Sequence, residues 1–108
     1  MIGFQISVNS KQLYTVAVGE IGKIIAQMEW TNGKTLGGET QNSMWVGARA
    51  HSPSFGNHRH WQCRELKIGD EVTIRVVDTD TSDPPLPAGT LPDYPELRRG
   101  PNSGQPPQ

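Results

Sequence analysis

The chain has 108 residues, 33% of them hydrophobic and 19% charged, and a formal charge of −1. That length supports one hydrophobic core rather than two, and a charge so near zero excludes a polyelectrolyte binder. A single cysteine excludes an internal disulfide framework, so a reducing, cytoplasmic setting is expected. MIGFQISVNSKQL lacks the basic segment and apolar run of a signal peptide, and no stretch approaches about 18 apolar residues, so no membrane span is expected.

IGFQISVN alternates, with Ile2, Phe4, Ile6 and Val8 on one side, which predicts a strand with one buried face. Asn9-Ser10-Lys11 supplies turn chemistry and QLYTVAV resumes an extended pattern, so the two form a hairpin. In KIIAQMEWT the period of two fits better than a helical period, placing Ile24, Ala26, Met28 and Trp30 on one face of a third strand. Asn32-Gly33 then predicts a turn, and residues 34–42, with their paired glycines, a flexible connection.

SMWVGARAH predicts a fourth strand. Met44, Val46, Ala48 and Ala50 share one face and Trp45, Gly47, Arg49 and His51 the other, with the Trp45 indole lying over Gly47. After the turn-rich SPSFGN, the segment HRHWQCREL leads through a turn at Gly69-Asp70 into a last strand, where Val72, Ile74 and Val76 alternate with Thr73, Arg75 and Val77. LKIGDEVTIRVVD resembles the closing strand of many small β-domains, a likeness that implies fold alone. Beyond Asp78 the composition changes, since eight of the nine prolines follow Asp83. The expectation is an all-β protein, a small antiparallel β-sandwich or partly open β-barrel of five to six strands over residues 1–78. A disordered, Pro/Gly-rich flexible tail over 79–108 follows, whose Leu86, Leu91, Tyr94 and Leu97 are available for docking. Trp30, Trp45 and Trp61 are expected to fill the core.

The densest chemistry lies in NHRHWQC. His58 and His60 are two apart and share one face of a strand, and His51 approaches them if 52–57 closes a hairpin. Three neutral imidazoles about one point would suit zinc or another borderline metal. Regular alternation puts Cys63 on the opposite face beside Trp61, as a small buried hydrophobe, and away from His60. That separation argues against a thiol–imidazole pair, which needs contact at about 3 Å. The Asp78, Asp80 and Asp83 cluster lacks the glycine and glutamate of a calcium loop. No catalytic residue and no cofactor is therefore expected.

Trp45 with Arg49, Trp61 with Arg59 and Arg64, and Arg75 are the hooks for single-stranded nucleic acid. Eight basic against seven acidic residues in 1–78 give little electrostatic drive, so nucleic acid is disfavoured. The leading reading is a non-enzymatic module for protein interaction or self-association, as a homodimer or with an unidentified protein partner. Ile25 and Val77 on the solvent face, with Tyr94 and Leu97 in the tail, are its interaction residues. The alternative is a small metal-binding protein or metal-dependent enzyme using His51, His58 and His60.

Overall fold

A computed structural model of the protein describes residues 1–34, 37–38, 40–53 and 57–94. These residues form β1 (Ile2–Val8), β2 (Lys11–Ala17), β3 (Lys23–Lys34), β4 (Thr40–Ser52), β5 (Asn57–His60), β6 (Arg64–Glu65) and β7 (Val72–Asp78). One sheet has the order β2-β1-β7. The other has the order β3-β4-β5, with β6 also paired to β4, and every pairing is antiparallel. The all-β, two-sheet architecture is thus the expected one, and the strand count reaches seven because HRHWQCREL is split in two.

Val8 pairs directly with Lys11, leaving Asn9 and Ser10 as a two-residue turn with φ of 53° and 69°. Two positive φ values give the turn whose twist matches the flanking strands, and asparagine tolerates that region well. A second turn, at Lys67–Asp70, is latched to the first. Asn9 Nδ2 donates to Asp70 Oδ1 at 2.9 Å, the Glu71 amide donates to Asn9 Oδ1 at 2.9 Å, and the Lys67 amide donates to Asp70 Oδ2 at 2.9 Å. The hydrogen bonds from Asn9 and Lys67 hold the Asp70 carboxyl below its ordinary pKa.

No turn forms at Asn32-Gly33. Both residues stay in β3, opposite Asn42 and Gln41, and pairing continues to Lys34 and Thr40. The cross-strand ladder decides this: Trp30 registers with Met44, and its Nε1 donates to Asn42 Oδ1 at 3.0 Å, a contact an earlier turn would remove. The left-handed backbone comes later, at Gly38 with φ 86°.

The core lies between the facing sheets. Ile6, Val8 and Val16 of the first sheet meet Val46, Ala48 and Ala50 of the second, and Trp61 and Leu66 complete the cluster. The tryptophans therefore take three different places. Trp61 is core as expected, Trp45 is buried on the opposite, outer face of its sheet, and Trp30 is 61% exposed.

Residues 79–94 run back over the domain. The Asp83 amide donates to the Thr15 carbonyl and the Thr15 amide to Asp83 Oδ2, each at 2.8 Å, and the Ala17 amide donates to Ser82 Oγ at 3.0 Å. These bonds cap the free edge of β2. On the other sheet, Trp61 Nε1 donates to the Asp83 carbonyl at 2.9 Å and the Leu86 amide to the His60 carbonyl at 2.8 Å. Pro84 and Pro85 have no donor, but Asp83 and Leu86 on either side of them do. The segment is a strap joining the β2 edge of one sheet to the β5 edge of the other.

Candidate functional site

The face assignment of Cys63 turns on one extra residue. His60 registers with Arg49, the Trp61 amide donates to the Ala48 carbonyl at 3.0 Å, and Arg64 registers with Val46. Gly47 alone lies between Ala48 and Val46, whereas Gln62 and Cys63 both lie between Trp61 and Arg64. That two-against-one count is a β-bulge, and it reverses the alternation beyond it. Cys63 therefore leaves the Trp61 side and reaches the outer face. A Cβ placed on Gly47 would meet Cys63 Sγ at 2.9 Å and Trp45 Cζ3 at 3.1 Å. The indole does lie over Gly47, as its missing side chain predicted, and the thiol shares the space. Tyr94 closes the site, its ring centroid 5.0 Å from that of Trp45.

The outer face of β3, β4 and β5 carries the histidines. His51 stands opposite His58, their ring centroids 3.6 Å apart in an edge-on arrangement, while His60 lies one row along, opposite Arg49. Two imidazoles meet and the third is displaced beside a permanent cation. Among the described residues no group of three or more His, Cys, Asp or Glu is placed to hold a metal ion. Desolvation, then the neighbouring His58, Lys23 and Arg49, lowers the His51 pKa below the ordinary imidazole value; burial, then Arg49 and His58, does the same at His60.

The acidic run after β7 does not converge either. Asp78 Oδ1 accepts the Met1 amino group at 3.1 Å, and Asp83 Oδ2 faces the Thr15 amide. Nor do the nucleic-acid hooks survive, because Trp45 and Trp61 are 4% and 2% exposed and offer no ring face for a base. Ile25 is half-buried on the outer face opposite Arg49, Val77 is half-buried opposite Gly3, and Tyr94 packs on its own chain's Trp45. Leu97 lies outside the described residues.

Two features were not anticipated from sequence. The first is a seam that the strap does not close. Ile74 and Val76 of β7 register with Ile6 and Phe4 and so point toward the core side, yet they are 43% and 67% exposed. Met28 and Trp30 of β3 register with Val46 and Met44, again on the core side, and are 64% and 61% exposed. Both strands are the edges opposite the strapped pair. Near one end of this seam the sheets part around a cleft of about 450 Å³ lined by Ile2, Phe4, Val18, Gly22 and Ile24.

The second feature is the company the histidines keep. Register places Lys23, His51 and His58 in one row across three strands, and Ile25, Arg49 and His60 in the next. Five of these six positions are basic. The following row holds Gln27 and Gly47, and the first carboxylates along β3 and β6, Glu29 and Glu65, both register with Trp45 a further row away.

The chain matches no protein-family model, no curated protein and no solved structure. Among the described residues no helix is long and apolar enough to cross a membrane, a statement that does not bear on β-barrels.

Proposed function

We propose that this β-domain is a non-enzymatic interaction module that works by self-association, two copies pairing through the β7 edge and covering each other's open seam. The observation that carries this reading is the inward-facing yet exposed set Ile74, Val76, Met28 and Trp30 on the two unstrapped edge strands. A long apolar edge left open invites uncontrolled strand pairing, so a soluble domain built this way needs a specific cover. With Ile2, itself 59% exposed, these residues present on the order of 500 Å² per copy, so a pair of copies reaches the roughly 1,000 Å² of a specific interface.

A second copy fits better than the chain's own end. Residues 95–108, PELRRGPNSGQPPQ, contain four prolines and one leucine and have no alternating apolar run to offer. By contrast β7 is self-complementary about a two-fold axis at Ile74. Ile74 then meets its counterpart, Val72 meets Val76, and Thr73 meets Arg75, with no like charges opposed between residues 72 and 76. The lone cysteine is in keeping with a reducing, cytoplasmic setting for such a dimer.

Light scattering after size exclusion, from low micromolar to near-millimolar protein, tests the reading. A dimer is expected, with Val76→Lys and Trp30→Ala shifting it to monomer while circular dichroism stays unchanged. A monomer throughout that range rejects the proposal.

A further inference from the structure

The basic rows on the outer face are independent of the seam, since they lie on the other side of the second sheet. We propose that the outer face of β3, β4 and β5 is a binding site for a compact ligand carrying two or more phosphate groups, held by Lys23, Arg49, His51, His58 and His60. Lys23, Arg49, His51 and His58 are exposed and His60 half-buried. Like charges on neighbouring strands destabilise a sheet, and local rules are broken most often where a site requires it. Here Lys23 and Arg49 are permanent cations on adjacent strands, and every other basic neighbour in the two rows is an imidazole that adds a third, fourth and fifth charge on protonation. An anion with several oxygens converts those repulsions into charge-assisted hydrogen bonds.

Size and surroundings choose the ligand. Three strands and two rows span about 10 Å by 7 Å, the footprint of a short oligophosphate and not of a polymer track. No exposed tryptophan borders the rows, because Trp45 and Trp61 are buried, so bases of a single strand have no platform there. The net charge of −1 provides no long-range attraction to a polyanion or an anionic bilayer.

Proton uptake accompanies binding. Among the described residues, the charged groups that bear on His51 are His58 of β5, Lys23 of β3 and Arg49 of β4, and those on His60 are Arg49 and His58; the strap meets His60 through the Leu86 amide, and the Asp83 carboxylate is turned to Thr15. In the free protein desolvation, and then these neighbours, keep His51 and His60 below the ordinary imidazole pKa. A bound phosphate reverses the sign of the local field and raises both, so affinity rises as pH falls from 8 toward 6.

Calorimetric titration of the full chain with inorganic tripolyphosphate at pH 6 and pH 8 tests this. Saturable binding is expected, tighter at pH 6 by about fivefold or more. Arg49→Gln is expected to weaken it about tenfold, the loss of one charge-assisted contact. His51→Ala combined with His60→Ala abolishes most of the pH dependence, and Arg75→Ala on the other sheet changes nothing; melting curves establish that each variant is folded. Parallel arms use a single-stranded oligonucleotide and phosphatidylcholine vesicles with and without phosphatidylserine. Tripolyphosphate binding that is absent at pH 6, or indifferent to Arg49→Gln, overturns the proposal. So does binding confined to the oligonucleotide or to the anionic vesicles, which would give this face to a polymer or a membrane.

Discussion

Replacing Gly47 by alanine probes the site at which the bulge, the thiol and the indole meet. The added methyl would lie 2.9 Å from Cys63 Sγ and 3.1 and 3.4 Å from two carbons of Trp45. Ordinary carbon–sulfur contact is longer by more than half an ångström, so something has to move. Trp45 is 4% exposed and backed by Tyr94, so the ring has nowhere to go. Rotation of the thiol, or a shift of the bulged backbone, is left to relieve the contact. Overpacking of this kind costs about 1–3 kcal/mol, and with two close contacts the middle of that range, about 2 kcal/mol, is expected. In urea, with a slope near 1–1.5 kcal/mol/M for a domain of this size, the midpoint falls by about 1.5 M. Cys63→Ala alone should cost about 1 kcal/mol, but in the double variant the new methyl no longer meets the sulfur and partly fills the space beside it. The two changes should therefore be non-additive, with a favourable coupling of about 1–2 kcal/mol. Tryptophan fluorescence during urea unfolding measures all four proteins. A neutral Gly47→Ala, or strict additivity with Cys63→Ala, would refute the contact between these two residues and with it the bulge register.

Two further outcomes follow from the fold. Truncation after Asp78 leaves the Trp61 indole N–H, inside the core, without the Asp83 carbonyl and uncovers the β2 edge; a loss of at least about 3 kcal/mol relative to the full chain is expected in denaturant unfolding. Asp70, whose carboxyl is held below its ordinary pKa by Asn9 and Lys67, contributes stability that is present above the unfolded-state pKa and lost as pH falls through the folded one. Asp70→Asn should accordingly flatten the acid limb of a melting-temperature profile, and an unchanged limb would show that the latch between the two turns carries no such linkage.

Where a residue's neighbours lie on its own strand or hairpin, the sequence was a good guide. The alternation of β1 and of β4, the Asn9-Ser10 turn and the glycine beneath Trp45 all follow from the residues within a few positions. Cys63 lies on the face opposite to the one its alternation predicts, because the rule of alternate faces holds only while strands match residue for residue. The insertion is visible only against Gly47 on another strand, with the whole 52–57 turn between them. Asn32-Gly33 failed for a related reason, since a turn signal is outvoted when the ladder on both sides continues to pair. The prolines after Asp83 argue against a strand or helix, as holds for residues 84–94, but do not say that Asp83 and Leu86 find edge carbonyls to bond. The seam was illegible in principle: Met28 and Val46 look alike in sequence, and only the shortness of the opposing sheet leaves one of them in water. The basic rows required register across three strands, which brings Lys23 beside residues more than twenty positions distant.

The pairing of β1 with β7 constrains how this protein is made. Ile2 is opposite Asp78, so β1 leaves the ribosome long before β7, the strand it flanks in the finished sheet, has been synthesised. Until then the growing chain can assemble the β1–β2 and β3–β4 hairpins, but one whole side of β1 waits for a mate. Assembly so dependent on distant partners is slow and exposes sticky intermediates, and a chain arrested before Val72 would be a natural client for holding chaperones.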